Sequence, residues 1–200
     1  RGLRDRIVVG VVSYATQPEF CWKPFQEAIA AVPGLGRIDV TIAGGAYGHE
    51  LPARLPVYRA HKASGFSRAI GASLHDRRAS LEGLDVAFIR YNAIHTGARE
   101  DLFPIAGATP LFNFTNTFGY VPPSRFAELG LTERHWRPRR TDHYRFALTR
   151  PEVAGVLCSL DAPEHVAELA AALDQGPLDE EEERYLMDLA LLASARPAPQ

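Results

Sequence analysis

The chain has 200 residues, 46% of them apolar and 23% charged, with a formal net charge of −2. That length supports one domain with a core of its own, in the composition range of ordinary globular proteins. The near-neutral charge excludes a broad basic field for nucleic acid or an acidic membrane, and the lack of an eighteen-residue apolar run excludes a predicted membrane-spanning helix.

Ile7-Val8-Val9-Gly10-Val11-Val12 is an almost unbroken apolar run rich in β-branched residues, which suits a strand covered on both faces, as in a parallel sheet. Pro24 to Val32 reads as an amphipathic helix, stopped by Pro33, Gly34 and Gly36. Ile38 to Ile42 is a second strand, broken by the turn chemistry of Gly44-Gly45-Ala46-Tyr47-Gly48. A helix is expected over Leu55 to Ser64, a third strand over Arg68 to Ala72, a short helix over Asp76 to Leu81 and a fourth strand over Val86 to Ile89. Thr109 to Phe114 is a fifth strand, Pro123 to Leu129 and Thr141 to Leu148 are helical, and Val153 to Leu157 is the sixth strand.

Asp161, three residues before Glu164, resembles a capping box at the start of a helix running to Asp174. The last helix starts near Asp179 with five consecutive acids, Asp179 to Glu183, which favour the positive end of the helix dipole and need no ligand to explain them. Alternating strands and helices argue for βαβ units and an α/β architecture with a parallel sheet. A single domain is expected over residues 1–195, with a proline-bearing tail over 196–200.

The remaining signals are weaker. Arg137, Arg139 and Arg140 form a short basic cluster that reads as a solvated surface loop, and only two lysines occur, Lys23 and Lys62. Cys21 and Cys158 have no metal-ligand spacing and read as small buried thiols. Asn113-Phe114-Thr115 matches a glycosylation sequon without other signs of secretion, so a cytoplasmic protein is expected. His61, His75, His95, His135 and His143 are scattered, with no metal-binding spacing, and no phosphate loop or nucleophile elbow is present.

Three stretches together resemble the aldo-keto reductase superfamily. Gly65-Phe66-Ser67-Arg68-Ala69-Ile70-Gly71-Ala72-Ser73 looks like that family's fifth strand, and Asp85 to Asn92 like its sixth. Pro151 to Leu186, with Gly176-Pro177-Leu178 and the acidic start that follows, looks like its eighth strand and last helices; Thr141 to Phe146 fits just before. The resemblance implies a partial (β/α)₈ TIM barrel holding strands three to eight. A closed barrel of this type needs about 250 residues. Together with the non-Met start at Arg1, this creates the expectation that two βα units precede the chain.

The resemblance also implies an oxidoreductase that uses NADP and reduces a small-molecule carbonyl substrate. The family proton donor is a Tyr tuned by Lys, Asp and His; the Tyr and Asp follow the second strand and would precede Arg1. The Lys ends the third strand, where Val12-Ser13-Tyr14 stands, and the His ends the fourth, where Gly44 stands. A phenol of pKa near 10 needs a neighbouring positive charge to donate its proton usefully at neutral pH, and Ser13 supplies none. No catalytic residue is therefore assigned.

Tyr47 and His49 fall on the loop after the second strand of this chain, at the face where such barrels place their sites. For the cofactor, Ser73 matches the polar residue that holds the nicotinamide amide, and Phe114 the aromatic that stacks on the ring. Phe88 or a neighbour stands where the family carries Gln. The phosphate turn is Ser159-Leu160-Asp161 with His165 near the usual Arg position, and Asp161 brings negative charge to it. No metal site is expected. Two readings follow: a reductase of this type, or a catalytically inactive barrel-like protein, a pseudoenzyme, that binds a ligand or a partner. In either case the open sheet edges call for covering by another chain or a second copy.

Overall fold

In the computed structural model, residues 3–75 and 78–195 are described. The expected tail at 196–200 and the first residues of the helix expected from Asp76 lie outside them; the described remainder of that helix, Arg78 to Leu81, is non-helical. Six strands, β1 (Gly10–Ser13), β2 (Ile38–Ala46), β3 (Ser67–Leu74), β4 (Val86–Arg90), β5 (Leu111–Phe114) and β6 (Val153–Val156), lie in one sheet in chain order. The pairs β1–β2, β2–β3 and β3–β4 are parallel, with Ser13 opposite Ala43 and Ser73 opposite Phe88. Helices α1 (Lys23–Ala31), α2 (Leu51–Ala63), α3 (Ala98–Asp101), α4 (Asp142–Ala147), α5 (Pro163–Asp174) and α6 (Glu180–Ala195) are interleaved with the strands. This is the architecture of a partial (β/α)₈ barrel. By compactness the chain divides into two units, one of residues 1–89 and 100–111, the other of residues 90–99 and 112–200.

In the first unit, α1 and α2 bury Phe25 and Tyr58 edge to face at 5.6 Å, together with Ile38, Ile42 and Ile70 from the strands. The expected first strand is corrected at its start. β1 begins at Gly10, and Val8 is 78% exposed, because residues before Val9 have no partner strand among the described residues. β2 runs on through the glycines expected to break it, with a bulge between Ala43 and Ala46 and Gly45 in the left-handed region at φ 60°. α2 starts four residues earlier than expected, since Pro52 sits in its first turn, where the missing N–H is no loss.

In the second unit, α6 packs Leu189 and Ala193 on Val121, Phe126 and Leu129. The helix expected over Pro123 to Leu129 is only a 3-10 turn, Pro123–Arg125, followed by turns ending at Gly130, whose φ is 78°. The capping box expected at Asp161 and Glu164 does not form: Ala162 is the N-cap of α5 and provides no side-chain bond. The reciprocal cap belongs to α6. Asp179 Oδ1 accepts the Glu181 and Glu182 amides, and Glu182 Oε2 accepts the Asp179 amide. Cys21 is buried as expected, Cys158 half-buried, and both are free thiols. Asn113, the expected sequon asparagine, is fully buried and so inaccessible to a glycosyl group. No helix among the described residues is long and apolar enough to cross a membrane.

The costliest buried group is Arg54 of α2, with no solvent exposure and no ion pair among the described residues. Its Nη2 donates to Ser13 O at 2.8 Å and its Nη1 to Gly44 O at 3.2 Å, which ties the ends of β1 and β2 together; Nη2 also reaches Tyr58 Oη at 3.4 Å. Burial pushes the Tyr58 phenol up to about 12, against the opposing pull of Arg54, so it stays neutral. Arg54→Ala removes guanidinium donors from two buried strand-end carbonyls, and we expect a loss of about 3 kcal/mol in urea unfolding. A change below about 1 kcal/mol would show that solvent or backbone adjustment replaces these bonds.

Candidate functional site

The strand ends of the second unit are joined by buried carboxamides. Asn113 of β5 accepts the Tyr91 amide at Oδ1 (2.7 Å) and donates from Nδ2 to Tyr91 O. Its Nδ2 also donates to Asn116 Oδ1, and Asn116 Nδ2 donates to Leu157 O at 2.9 Å, while the Leu157 amide donates to Asn113 O at 2.8 Å. These contacts fix the backbone where β6 gives way to Cys158, Ser159 and Leu160.

A cleft of about 160 Å³ opens there, lined by Arg140, Thr141, Tyr144, Ser159, Leu160, His165, Glu168 and Leu169. Burial pushes the phenol of Tyr144 and the thiol of Cys158 up, so both remain neutral beside it. The start of α5 borders the cleft through His165. No side chain caps α5 at Ala162, but Pro163 has no N–H and the His165 amide donates to Ala162 O at 3.1 Å, so the polar groups the cleft offers are side chains, those of Arg140, Ser159 and His165 among them. A second cleft of about 320 Å³, lined by Tyr120, Pro123, Arg137, Pro138, Arg139, Arg140, Thr141 and Glu168, shares Arg140, Thr141 and Glu168 with the first. The two clefts therefore collect three arginines and a histidine against one carboxylate, a donor set suited to a phosphate with an adjoining flat group.

The arginines are exposed, as a solvated loop requires, yet each is placed. Arg140 lies over the Tyr120 ring at 5.5 Å and Arg137 over Phe126 at 5.6 Å, and Arg139 donates to Gln175 Oε1 at 3.3 Å. Among the residues expected at the phosphate turn, Ser159 and His165 face the same cleft, whereas Asp161 is exposed and does not line it. Phe114 is half-buried at the end of β5, and Ser73 is half-buried on β3 of the first unit. Arg140 escaped assignment in the sequence because it lies nineteen residues before Ser159, and only the fold closes that gap.

The strand-end face of the first unit carries rings. Tyr47 is stacked on His49 at 6.1 Å and lies 6.0 Å from His75. A Cβ on Gly44 would stand 2.5 Å from Val12 Cγ1 and 2.8 Å from the Tyr14 ring. A side chain at Gly44 is thus excluded by Val12 and Tyr14 as they are packed.

No protein-family model matches the chain, and no curated protein matches it. Solved structures do. An aldo-keto reductase of Bacillus halodurans, AKR11C1, in holo and apo forms, superposes with a TM-score of 0.72 at 15% identity, covering 96% of this chain and 75% of that one. The chain has the aldo-keto reductase fold. The thermostable aldo-keto reductase Tm1743, solved with the inhibitor epalrestat, matches at TM-score 0.68 and 17% identity over 92% of this chain and 70% of its own. The aldo-keto reductase MGS-M4, from a deep-sea metagenome of the Medee basin, matches at 0.66 and 16% over 94% and 73%. At these identities the likeness is one of fold.

His143 on α4 links the clefts to stability. It is buried, its ring edge-on to Tyr120 at 5.7 Å, and burial lowers its pKa from 6.5 to about 4 against the opposing Asp142 charge. Above pH 6.5 it is neutral in both folded and unfolded chains and costs nothing. As pH falls from 6.5 toward 4 only the unfolded chain takes up the proton, so stability drops by up to about 3 kcal/mol. Urea midpoints across this range should fall more steeply for the wild type than for His143→Phe. Parallel curves would contradict the assignment.

Proposed function

We propose that the chain is a divergent aldo-keto reductase superfamily member that binds NADP through its second unit and serves the reduction of a small-molecule carbonyl. One observation carries this reading: the cleft that brings Arg140, Ser159 and His165 to the uncapped start of α5 at the end of β6. The residues fit the group. The extra ribose phosphate of NADP would find a guanidinium, an imidazole and a hydroxyl, and the adjoining larger cleft offers the Tyr120 ring and two prolines for adenosine. Each cleft alone is at or below the lower end of the volumes, about 300–1,000 Å³, that hold whole ligands, so each suits a part of the cofactor. When bound, the nicotinamide supplies the hydride. In the second unit, Phe114 is our candidate to stack on that ring; in the first unit, taken by itself, Ser73 is our candidate for a polar contact to the cofactor.

A second reading, binding without turnover, is favoured by the first unit. Ser13 and Gly44 occupy the positions of the family's Lys and His, and Tyr14 fills the space over Gly44. Arg54 does bring a cation to both positions, but from the buried side and bonded to their carbonyls. Ile7 and Val8, exposed beside the edge strand β1, support the expectation that a further segment or copy covers that edge.

Calorimetric titration separates these. The wild-type chain should bind NADPH at least tenfold more tightly than NADH, and Arg140→Ala or His165→Ala should erase that preference by weakening NADPH about tenfold while leaving NADH within about twofold. No heat of binding at about 1 mM NADPH would sink the cofactor assignment. Binding of NADPH with no oxidation of it across a panel of aldehydes and ketones would select the second reading.

A further inference from the structure

Ser80 stands in the run Arg77-Arg78-Ala79-Ser80-Leu81, with arginines three and two residues before it and an apolar residue directly after. A serine kinase of the basophilic class reads that charge pattern, because its own carboxylates pair with guanidinium groups at those two positions. The loop between β3 and β4 presents the serine. Ser80 is exposed, whereas Ala79 and Leu81 on either side of it are buried. The Arg78 side chain is 77% exposed, and its ion pair to Asp101, at 3.9 Å, is weak enough to exchange for a carboxylate of another protein. Residues 79–82 belong to no helix or strand, so the local opening that lifts Leu81 into a kinase groove breaks no ladder.

A landing place for a phosphate lies beside the hydroxyl. Ser80 borders a cleft of about 230 Å³ in the first unit, and Arg59 of α2 and Glu82 border the same cleft. Arg59 reaches from its helix to the loop: a Cβ added to Gly83 would stand 2.5 Å from Arg59 Nη2, which puts the guanidinium against a residue three positions from the acceptor. The Glu82 amide donates to Ser80 Oγ at 3.1 Å and fixes the serine within this turn. A phosphate ester here would meet guanidinium donors from Arg59 and the opposing charge of Glu82. A phosphate oxygen takes charge-assisted bonds from a guanidinium, whereas Glu82 is exposed and can turn away into solvent.

We propose that Ser80 is a phosphorylation site for a basophilic serine kinase and that Arg59 receives the phosphate, tying the loop after β3 to α2. In the transfer, Ser80 Oγ attacks the γ-phosphorus of ATP. The Oγ–P bond forms as the bond to the β-phosphate oxygen breaks, ADP leaves with that electron pair, and the hydroxyl proton passes to a carboxylate of the kinase. The inference concerns the first unit alone and does not rest on the NADP reading.

The folded full chain is incubated with ATP and the catalytic subunit of cAMP-dependent kinase, beside a synthetic peptide of residues 74–84, and the products are mapped by mass spectrometry. One phosphate on Ser80 of the folded chain is expected, none at this position in Ser80→Ala, and an initial rate about tenfold lower in Arg78→Ala. A folded chain that takes no phosphate at Ser80, whether or not the peptide does, overturns the proposal, as does an Arg78→Ala variant phosphorylated at the wild-type rate. The role of Arg59 has its own readout. Phosphoserine exchanges its second proton at about pH 6, and a guanidinium beside it favours the dianion. Its phosphorus resonance should therefore titrate at lower pH in the phosphorylated wild type than in phosphorylated Arg59→Ala, a variant that removes only an exposed side chain. Coincident titrations overturn the assignment of Arg59.

Discussion

The second unit depends on two side-chain amides at the ends of its strands. A parallel ladder stops supplying hydrogen bonds where its strands diverge, and the backbone groups left there are buried and must be paired. Asn113 and Asn116 do this between Tyr91, β5 and Leu157, bonding to backbone groups and to each other. The consequence runs outward in two directions. Toward β6 it sets the path of Ser159 and so the wall of the arginine cleft. Toward the turn it locks Thr115 in a conformation that threonine otherwise avoids.

The first unit solves the same problem with a charge. Arg54 donates to the carbonyls of Ser13 and Gly44, at the cost of burying a guanidinium with no carboxylate partner among the described residues. A Cβ on Gly44 would meet Val12 and the Tyr14 ring, so the strand end that Arg54 holds also requires glycine at this position. The face above, with Tyr14, Tyr47, His49 and His75, is exposed and aromatic, with no carboxylate or lysine among these four.

Most of the fold was legible because periodicity and composition agree along it. The β-branched runs at Ile38 and Val86 and the acidic start at Glu180 formed the elements they announce. The errors have local causes. Gly44 and Gly45 read as a stop, yet a bulge carries β2 through them. Asp161 and Glu164 have capping spacing, but the chain enters α5 one residue later, through Ala162 and Pro163. Ile7 and Val8 read as interior strand and are exposed, because strand pairing is a tertiary property that alternation does not encode. At the cleft, Ser159 and His165 come from the turn and helix start that drew notice in the sequence, whereas Arg140 reaches it from a different segment, which spacing along the chain does not reveal.

We propose that a phosphate-bearing dinucleotide binds against Arg140, Ser159 and His165. Phosphorus NMR of NADP reads it directly, because the ribose monophosphate resonance is resolved from the pyrophosphate and moves with its ionisation. Addition of the chain should shift that resonance toward the dianion and lower its apparent pKa, since the Arg140 guanidinium favours the more charged form. Arg140→Ala should return it to the free value. A resonance that titrates identically with and without an excess of the wild-type chain would contradict the account.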